Sequence, residues 1–386
     1  MKKTLIILSI LIGFQCFGQS IESPARVPAG IDKVQLRYAD KVIQQSIQNK
    51  EIPGAVLAVV FRNKLVYMKA YGNKQIYPES VKMKTNTVFD LASLTKSVAT
   101  ATSIMILTER GRLRLEDKVS QYFPYFKDNI SILNLLTHTS GLPPYAPVDS
   151  LEKNLATHPD TLTHYIASCK RSFEPGKGFQ YSCLNFITLQ KIIEKVSGQN
   201  LKDFAQTNIF DELGMRHTGF CPTGETLKRT APTQKQSDNH VLLGEVHDPL
   251  ARKLNHGISG NAGLFSDAKD LALFSAMLLN HGTLNNKRVL SPLAVNTLTT
   301  LPIGLSEYGR TPGWDLFSSY SSNQGDLLGP NAYGHTGYTG TSIVIDPDNQ
   351  VAVILLTNRV HPDDKGSVAR LRALVANVVA GAVKFE

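Results

Sequence analysis

Leu91-Ala92-Ser93-Leu94-Thr95-Lys96 is the stretch around which this chain of 386 residues is organised. Apolar side chains recur at helical spacing through residues 93–110, at Leu94, Val98, Ala101 and Met105. Residues three apart on a helix are neighbours, so Ser93 and Lys96 are predicted to lie side by side. A serine hydroxyl becomes an effective nucleophile when a base takes its proton, and a neutral lysine can be that base. Burial and the positive end of a helix dipole both favour the neutral form. A motif this short also occurs by chance at solvated helix starts.

Composition limits the classes to which the chain can belong. Hydrophobic residues make up 42% of it, which is ordinary for a globular protein with a sizeable core. The formal net charge is +9, but the lysines and arginines are scattered and no run of five or six occurs. Nucleic-acid binding is therefore not expected. Apart from Cys16, the cysteines are Cys169, Cys183 and Cys221, an odd number that does not indicate a disulfide framework.

The N-terminal residues have the features of a secretory signal. Met1-Lys2-Lys3 is basic, residues 5–14 are apolar, and the small residue Gly18 follows. We therefore expect residues 1–18 to be a signal peptide and residues 19–386 to form one exported domain, either periplasmic or secreted. The apolar run is short for a bilayer, and no other stretch is apolar enough to cross one, so no stable membrane span is expected after the signal is removed.

Strand patterns occur near both ends of the chain. Residues 55–61 and 65–71 are typical of a hairpin, because two β-rich runs flank the turn Arg62-Asn63-Lys64. Residues 341–345 and 351–357 form a second pair of apolar runs, separated by a turn at Pro347-Asp348-Asn349. Both pairs are predicted to belong to one sheet.

Helical patterns fill the middle of the chain and both flanks. An amphipathic helix is predicted at residues 32–49, and another at the C-terminus, where one face carries Val368, Leu371, Val375 and Val378. The expected fold class is α/β (α+β), an antiparallel sheet flanked by helices. The sheet comes from residues roughly 50–75 and roughly 330–360, and a mainly helical region is inserted at roughly 110–290.

Two further stretches favour a catalytic interpretation of Ser93. Tyr181 follows a glycine-rich loop, and a tyrosine beside a cationic lysine can act as a general base, although such a tyrosine more often packs a loop. Tyr333 to Gly340 is rich in glycine and runs into a predicted strand. Glycines beside an edge strand allow a substrate close to the backbone, whose N–H groups can bind an oxyanion. His138 and Ser140 lie after a short apolar helix, and we expect them to tie down a loop.

Together these stretches resemble the serine hydrolase family that contains class C β-lactamases, D,D-carboxypeptidases of the penicillin-binding type and family VIII esterases. The family pattern is Ser-x-x-Lys, then Tyr-x-Asn, then Lys/His-x-Gly. Here the order is kept in Ser93 to Lys96, Tyr181 to Cys183 and His335 to Gly337. Residues 135–143, 260–265 and 355–359 also resemble the family, so the resemblance covers essentially the whole chain after the signal and implies a β-lactamase-like fold.

The resemblance implies a role for each matching residue. Ser93 is expected to be the nucleophile that forms an acyl-enzyme, and Lys96 and Tyr181 to share the proton transfers. The N–H groups of Ser93 and of Tyr338 or Thr339 are expected to form the oxyanion hole. The substrate-binding residues are expected to be Cys183, His335, Thr336, Gly337 and Tyr338.

Two departures from the family pattern bear on the substrate. Cys183 stands where the family has an asparagine, and a thiol is a poorer donor and acceptor than an amide. His335 stands in the lysine position of part of the family, which removes a fixed positive charge suited to a substrate carboxylate. Both changes favour esters or small amides over penicillins.

The predicted function is an exported serine hydrolase that acts through an acyl-enzyme on ester or amide bonds. The first alternative is a cell-wall D,D-peptidase or β-lactamase. The second is a non-catalytic relative that binds envelope peptides or glycans. The expected partner is a small-molecule ester, amide or peptide substrate.

Other chemistries have weaker support in the sequence. Residues 257–261 miss the last glycine of Gly-x-Ser-x-Gly, so an α/β-hydrolase is not predicted. The sequence has no His-Glu-x-x-His and no phosphate-binding glycine loop, so no metal and no other cofactor are expected.

Overall fold

The computed structural model describes residue 21 and residues 30–155, 160–321 and 323–384. The predicted signal peptide, residues 1–18, lies outside these described residues. Of the helices in the described ranges, none has both the length and the hydropathy needed to span a bilayer.

Thirteen strands occur in the described part of the chain. In chain order they are β1 (Gly54–Phe61), β2 (Lys64–Gln75), β3 (Val81–Lys82), β4 (Val88–Asp90), β5 (Gly219–Phe220), β6 (Leu264–Asp267), β7 (Thr283–Leu284), β8 (Lys287–Arg288), β9 (Arg310–Thr311), β10 (Trp314–Asp315), β11 (Tyr333–Thr336), β12 (Ser342–Asp346) and β13 (Val351–Thr357). The main sheet has the order β3-β2-β1-β13-β12-β11-β10-β9, and its neighbouring strands are antiparallel. Two smaller sheets have the orders β4-β6-β5 and β7-β8.

The α-helices surround this main sheet. In chain order they are α1 (Lys33–Leu36), α2 (Tyr38–Gln48), α3 (Thr102–Glu109), α4 (Val119–Tyr122), α5 (Ile132–Leu136), α6 (Val148–Leu155), α7 (Thr161–Ser168), α8 (Cys183–Ser197), α9 (Leu201–Ala205), α10 (Asp211–Leu213), α11 (Gly224–Arg229), α12 (Ala268–Leu279), α13 (Pro292–Thr299) and α14 (Ala369–Ala380). Wider π-helical turns span Lys96–Ala101, Gln206–Phe210 and Leu250–Leu254, and a short 3₁₀ turn spans Ser306–Tyr308.

Strand β1 is buried along its whole length because both faces of the sheet are covered. Val56, Ala58 and Val60 face a core shared with α3, α8 and α12, while Leu57 and Val59 face a second core with α2 and α14. On its two edges β1 pairs with β2 and with β13, which comes from the other end of the chain. The predicted fold class, an antiparallel sheet flanked by helices with an inserted mainly helical region, is confirmed.

Local details differ from the sequence prediction in three places. The predicted helix at residues 32–49 is two helices that meet at Arg37. On α14, Val379 is buried, whereas the predicted core residue Val378 is only partly buried. Strand β11 is not an edge strand, because β10 lies beyond it. However, β10 pairs with β11 only at Asp315 and Gly334, so residues 335–337 keep a free edge.

Candidate active site

The turn before Ser93 leaves the small sheet at the end of β4. Ala92 has a φ of 46°, in the left-handed region that costs an alanine about 1 kcal/mol. Its N–H donates to the Asp90 carboxylate at 2.8 Å, and its carbonyl accepts from the Thr95 hydroxyl at 2.7 Å. These bonds hold the sharp turn, which presents Ser93 at the start of the following helical segment.

Lys96 lies beside Ser93, as its spacing predicts. Its Nζ donates to Ser93 Oγ at 2.9 Å, to the Asn261 carbonyl at 2.8 Å and to Cys183 Sγ at 3.7 Å. The side chain is fully buried. An ammonium has three N–H donors, so these three acceptors satisfy a charged lysine completely.

The charge of Lys96 differs from the sequence expectation of a neutral base. Burial lowers the pKa of Lys96, but the attraction of the ammonium to the neighbouring Cys183 and Tyr181 outweighs burial and raises the pKa above its usual value. The helical spacing of Ser93 and Lys96 could not reveal this raised pKa, because Cys183 and Tyr181 come from another chain segment, around residue 182. Lys96 therefore keeps its proton at neutral pH.

Tyr181 lies over this lysine, immediately before α8. Its ring centroid is 5.1 Å from Lys96 Nζ, and its ring is stacked between those of His138 at 4.3 Å and Tyr320 at 4.8 Å. The next residue, Ser182, caps α8 by accepting from the Leu184 N–H. The helix start thus fixes Tyr181 and Cys183 on either side of the cap, both next to Lys96.

His138 supports Tyr181 from behind. It is fully buried, and its Nδ1 lies 3.1 Å from the Ser182 N–H nitrogen that donates to it. Burial, with the charges of Arg310 and Lys96, lowers the pKa of His138 well below its usual value, so the ring is neutral. Ser140 is also buried and donates to the Asn185 side chain. Both residues tie the loop before α6 to the start of α8.

Cys183 presents a neutral thiol to the ammonium. Burial raises the pKa of Cys183, although the charge of Lys96 partly offsets this effect. The thiol is a weak acceptor at 3.7 Å, so it satisfies the third N–H of Lys96 less well than an amide oxygen.

His335, on β11, and Gly337, which follows this strand, form the opposite wall. Burial, followed by the charges of Arg310 and Lys96, lowers the pKa of His335 well below its usual value. The neutral ring has Nδ1 3.0 Å from the Thr336 carbonyl, so Nδ1 carries the proton. A Cβ at Gly337 would lie 2.3 Å from the Leu91 carbonyl oxygen and 2.2 Å from Thr341 Oγ1, so only glycine fits.

Hydrogen bonds join the β11–β12 turn to the Ser93 turn. Thr339 Oγ1 donates to the Asp90 carbonyl at 2.7 Å, and Thr341 Oγ1 donates to the Leu91 carbonyl at 3.0 Å. Within the described ranges, the backbone N–H groups of Ser93, Tyr338 and Thr339 have no acceptor from the protein. Free donors on two joined turns are the arrangement that an oxyanion requires.

A cavity of about 260 Å³ opens above Ser93. Its wall includes the predicted Tyr181, His335, Thr336, Gly337 and Tyr338. It also includes residues that the sequence prediction missed, namely Arg310, Asp315, Tyr320, Ser321, Asn323, Arg359 and Arg372. The structure thus brings together all the predicted site residues, with Lys96 and Cys183 beneath Ser93 rather than on the cavity wall.

Three arginines line the cavity, and they differ in whether a carboxylate neutralises them. Arg310 pairs with Asp315 at 2.6 Å, and Arg359 pairs with Asp364 at 2.7 Å. Arg372 donates to the carbonyls of Gly337 and Thr341, and no carboxylate pairs with it among the described residues. Burial and Arg359 lower the pKa of Arg372 to about 9, which leaves it charged at neutral pH.

One cluster in the described ranges has the side-chain types of a metal site. His217, Asp267 and Asp270 have potential ligand atoms within 4.8 Å of one another. However, His217 Nδ1 lies 2.9 Å from Asp267 Oδ2, and Nε2 lies 2.9 Å from a guanidinium nitrogen of Arg229. Both ring nitrogens therefore have protein partners, and the cluster forms a network between β6, α12 and the segment before β5.

Comparison with known proteins relates this geometry to a family. The Beta-lactamase family profile matches residues 39–377. The chain is 32% identical over 367 residues to an N-acetylmuramyl-L-alanine amidase of Bacillus subtilis (strain 168), covering 84% of this chain and 81% of that protein. It is 31% identical over 401 residues to a proposed D-alanyl-D-alanine carboxypeptidase of Salmonella typhimurium (strain LT2), covering 94% and 92%.

Solved structures share the fold at lower identity. EstCE1, a hydrolase with promiscuous acyltransferase activity, has a TM-score of 0.72 at 23% identity, over 90% of this chain and 99% of its own. A class C beta-lactamase has a TM-score of 0.72 at 21% identity, over 94% and 100%.

Proposed function

Because the chain belongs to the Beta-lactamase family, we propose that it is an exported serine hydrolase that acts through an acyl-enzyme on ester or amide bonds. At a coarser level it is a β-lactamase-fold hydrolase related to D-alanyl-D-alanine carboxypeptidases, amidases and esterases. The observation that carries the proposal is the hydrogen bond of 2.9 Å from Lys96 Nζ to Ser93 Oγ, beside Tyr181 and below the free N–H donors.

In the proposed acylation step, Ser93 Oγ attacks the carbonyl carbon of the substrate. In this proposal Tyr181 enters the step as the phenolate, beside the Lys96 ammonium, and its oxygen takes the proton of Ser93. The N–H groups of Ser93 and Tyr338 receive the developing oxyanion. Tyr181 then returns the proton to the leaving alcohol or amine as the carbonyl bond to it breaks.

In the proposed deacylation step, water replaces the leaving group. The Tyr181 oxygen takes a proton from the attacking water, the ester bond to Ser93 breaks, and the proton returns to Ser93 Oγ. The product acid leaves the cavity. His335 is neutral and has its Nδ1–H directed at Thr336, so its role is to shape the cavity and orient the substrate.

The charge of Arg372 favours the alternative of a cell-wall peptidase within this proposal. His335 removes one positive charge from the family pattern, whereas Arg372 supplies one to the same cavity without a carboxylate paired to it among the described residues. Arg310 and Arg359 are each paired with an aspartate. A substrate with a carboxylate, such as a peptide with a free C-terminus, suits this cavity. The names of the amidase and carboxypeptidase relatives agree with an amide substrate. The non-catalytic alternative is disfavoured because Ser93, Lys96 and Tyr181 lie together.

Replacement of Ser93 tests the proposal directly. We expect Ser93→Ala to abolish hydrolysis of p-nitrophenyl butyrate and labelling by a serine-reactive fluorophosphonate. Ser103→Ala is the control, because Ser103 is a buried serine on the following helix, α3, and lies outside the site. Hydrolysis retained by Ser93→Ala contradicts the proposal. Stable labelling of the unchanged protein by a fluorescent penicillin, or release of alanine from a D-Ala-D-Ala peptide, selects the peptidase alternative.

A further inference from the structure

Asp90 is a buried carboxylate at the end of β4 that the proposed chemical steps do not use. Its exposed fraction is 2%. One carboxylate oxygen accepts from the Ala92 N–H at 2.8 Å, and the other accepts from the His247 N–H at 2.7 Å. Both partners are backbone groups, so the carboxylate joins two chain segments more than 150 positions apart in the sequence.

The first segment carries one of the free N–H donors. Ala92 has its φ of 46° immediately before Ser93. An alanine stays in the left-handed region only where its surroundings hold it there. The Asp90 carboxylate holds the N–H of Ala92, and the Thr95 hydroxyl holds its carbonyl, which belongs to the same peptide group as the Ser93 N–H. The two bonds together fix the direction of the Ser93 N–H.

The second segment reaches the free donor of Tyr338. The ring of His247 is stacked on Tyr338, with a centroid distance of 5.5 Å and an interplanar angle of 23°. Asp90 also contacts the same turn through its own carbonyl, which accepts from Thr339 Oγ1 at 2.7 Å. The backbone around Tyr338 is thus tied to Asp90 directly and through His247.

We propose that Asp90 is a positioning residue for the oxyanion hole, because it holds both segments that supply the two N–H donors. This inference rests on the proposed function, since it assumes that the donors of Ser93 and Tyr338 bind the oxyanion. Asp90 touches no substrate, so its effect is on the rate of the chemical step rather than on substrate affinity.

The ionisation of Asp90 gives the proposal a pH signature. Burial raises the pKa of Asp90 to about 6, despite the two N–H donors that favour the carboxylate. The charges that act on it are those of Asp248, which raises the pKa, and Arg252, which lowers it. Above pH 6 both oxygens accept, whereas the protonated acid has a hydroxyl that accepts poorly from an N–H. Activity therefore declines as the pH falls through this value.

Two nearby histidines do not produce the same decline. Burial lowers the pKa values of His138 and His335 well below the usual value, so these rings remain neutral where Asp90 begins to take up its proton. Burial also lowers the pKa of His247, although Asp364 and Asp248 partly offset it. The pH profile of Asp90→Asn, which keeps His247, separates the two groups.

The test compares Asp90→Asn with Asp346→Asn. Asp346 is an equally buried carboxylate that accepts from the N–H groups of Gly329, Asp348 and Asn349 at the far end of β12. The measurements are kcat and KM for p-nitrophenyl butyrate between pH 5 and 9, with thermal unfolding of both variants. We expect Asp90→Asn to lower kcat about ten- to a hundredfold, with KM changed less than threefold and the decline near pH 6 lost. Asp346→Asn should retain kcat and the decline.

The outcomes separate this inference from the proposed function. Absence of Ser93-dependent turnover in the unchanged protein overturns both. Ser93-dependent turnover, with kcat and the pH profile of Asp90→Asn equal to those of Asp346→Asn, overturns the role of Asp90 alone. If Asp90→Asn does not fold, His247→Ala is the deciding variant. Because it removes the ring that stacks on Tyr338, it should lower kcat at constant KM. An unchanged kcat in His247→Ala overturns the inference.

Discussion

At the scale of single residues, Cys183 has the clearest effect on the choice of substrate. Its thiol lies 3.7 Å from Lys96 Nζ and offers neither the donor nor the acceptor strength of an amide. We predict that Cys183→Asn raises kcat/KM about tenfold for an amide substrate such as a D-Ala-D-Ala peptide, because one good hydrogen bond contributes roughly 1.4 kcal/mol. Hydrolysis of p-nitrophenyl butyrate should change less than threefold.

Cys183→Ser is the control for the prediction at Cys183. A hydroxyl restores polarity without the N–H donor of an amide, so the serine variant should not gain activity towards the peptide. Equal changes for the ester and the peptide in Cys183→Asn would show that residue 183 does not discriminate between them.

The sequence predicted the residues of the site better than their ionisation. Ser93, Lys96 and Tyr181 lie in motifs with fixed spacing, and all three meet in the structure. The raised pKa of Lys96 arises from Cys183 and Tyr181, which approach it only after α8 packs beside the helical segment. Local patterns therefore identified the groups, and tertiary packing determined their charge.

At the scale of structural elements, the loop after β10 controls the shape of the cavity. Asp315 pairs with Arg310 and accepts from Ser318 Oγ at 2.6 Å, and Ser318 Oγ in turn accepts from the Tyr320 N–H at 3.2 Å. This chain of bonds places Tyr320 against Tyr181, although Tyr320 is 54% exposed. The aromatic ring forms one side of the cavity mouth.

Removal of this ring should widen substrate selection. We predict that Tyr320→Ala increases the ratio of kcat/KM for p-nitrophenyl decanoate to that for the acetate by roughly five- to tenfold, about 1–1.4 kcal/mol of relieved crowding. Phe317→Ala is the matched control, because Phe317 is 59% exposed on the same loop but does not line the cavity. An unchanged ratio in Tyr320→Ala, or the same increase in Phe317→Ala, contradicts this role.

Element length explains which parts of the fold the sequence predicted. Strands β1 and β13 are long and apolar, and β2 begins with a β-rich run, so their composition indicated them. Strands β9 and β10 have two residues each, too few for any periodicity, yet they carry Arg310 and Asp315 into the cavity. These two missed cavity residues thus lie where local pattern is shortest and long-range pairing decides position.

At the scale of the whole molecule, buried acids link stability to pH. Burial and the nearby Asp267 raise the pKa of Asp270 from 3.8 to about 7. The hydrogen bond to Asp267 raises the pKa of His217, although burial opposes it. Both groups hold their protons more tightly in the folded protein than in the unfolded chain. Between pH 4 and 7 the folded state therefore binds more protons, and these groups lower the free energy of unfolding as the pH rises.

Asp270→Asn should remove the larger part of this dependence of stability on pH. We predict that the free energy of unfolding of the variant, relative to the unchanged protein, rises with pH between 4 and 7 by at most about 1.4 kcal/mol per pH unit. Chemical denaturation at several pH values measures it. Asp149→Asn is the control, because the Asp149 side chain is 90% exposed. Its free energy of unfolding should change with pH as that of the unchanged protein does. A relative stability of Asp270→Asn that is constant with pH contradicts the prediction.

The pairing of β1 with β13 has a consequence for biosynthesis. Ala55 lies opposite Thr357, and Ile31 bridges to Val383, so the centre of the sheet needs chain from both ends. A nascent chain emerging from the ribosome cannot close this sheet until nearly all residues have been made, and closing so long a loop slows folding. The main sheet therefore stays open until its C-terminal strands have been made.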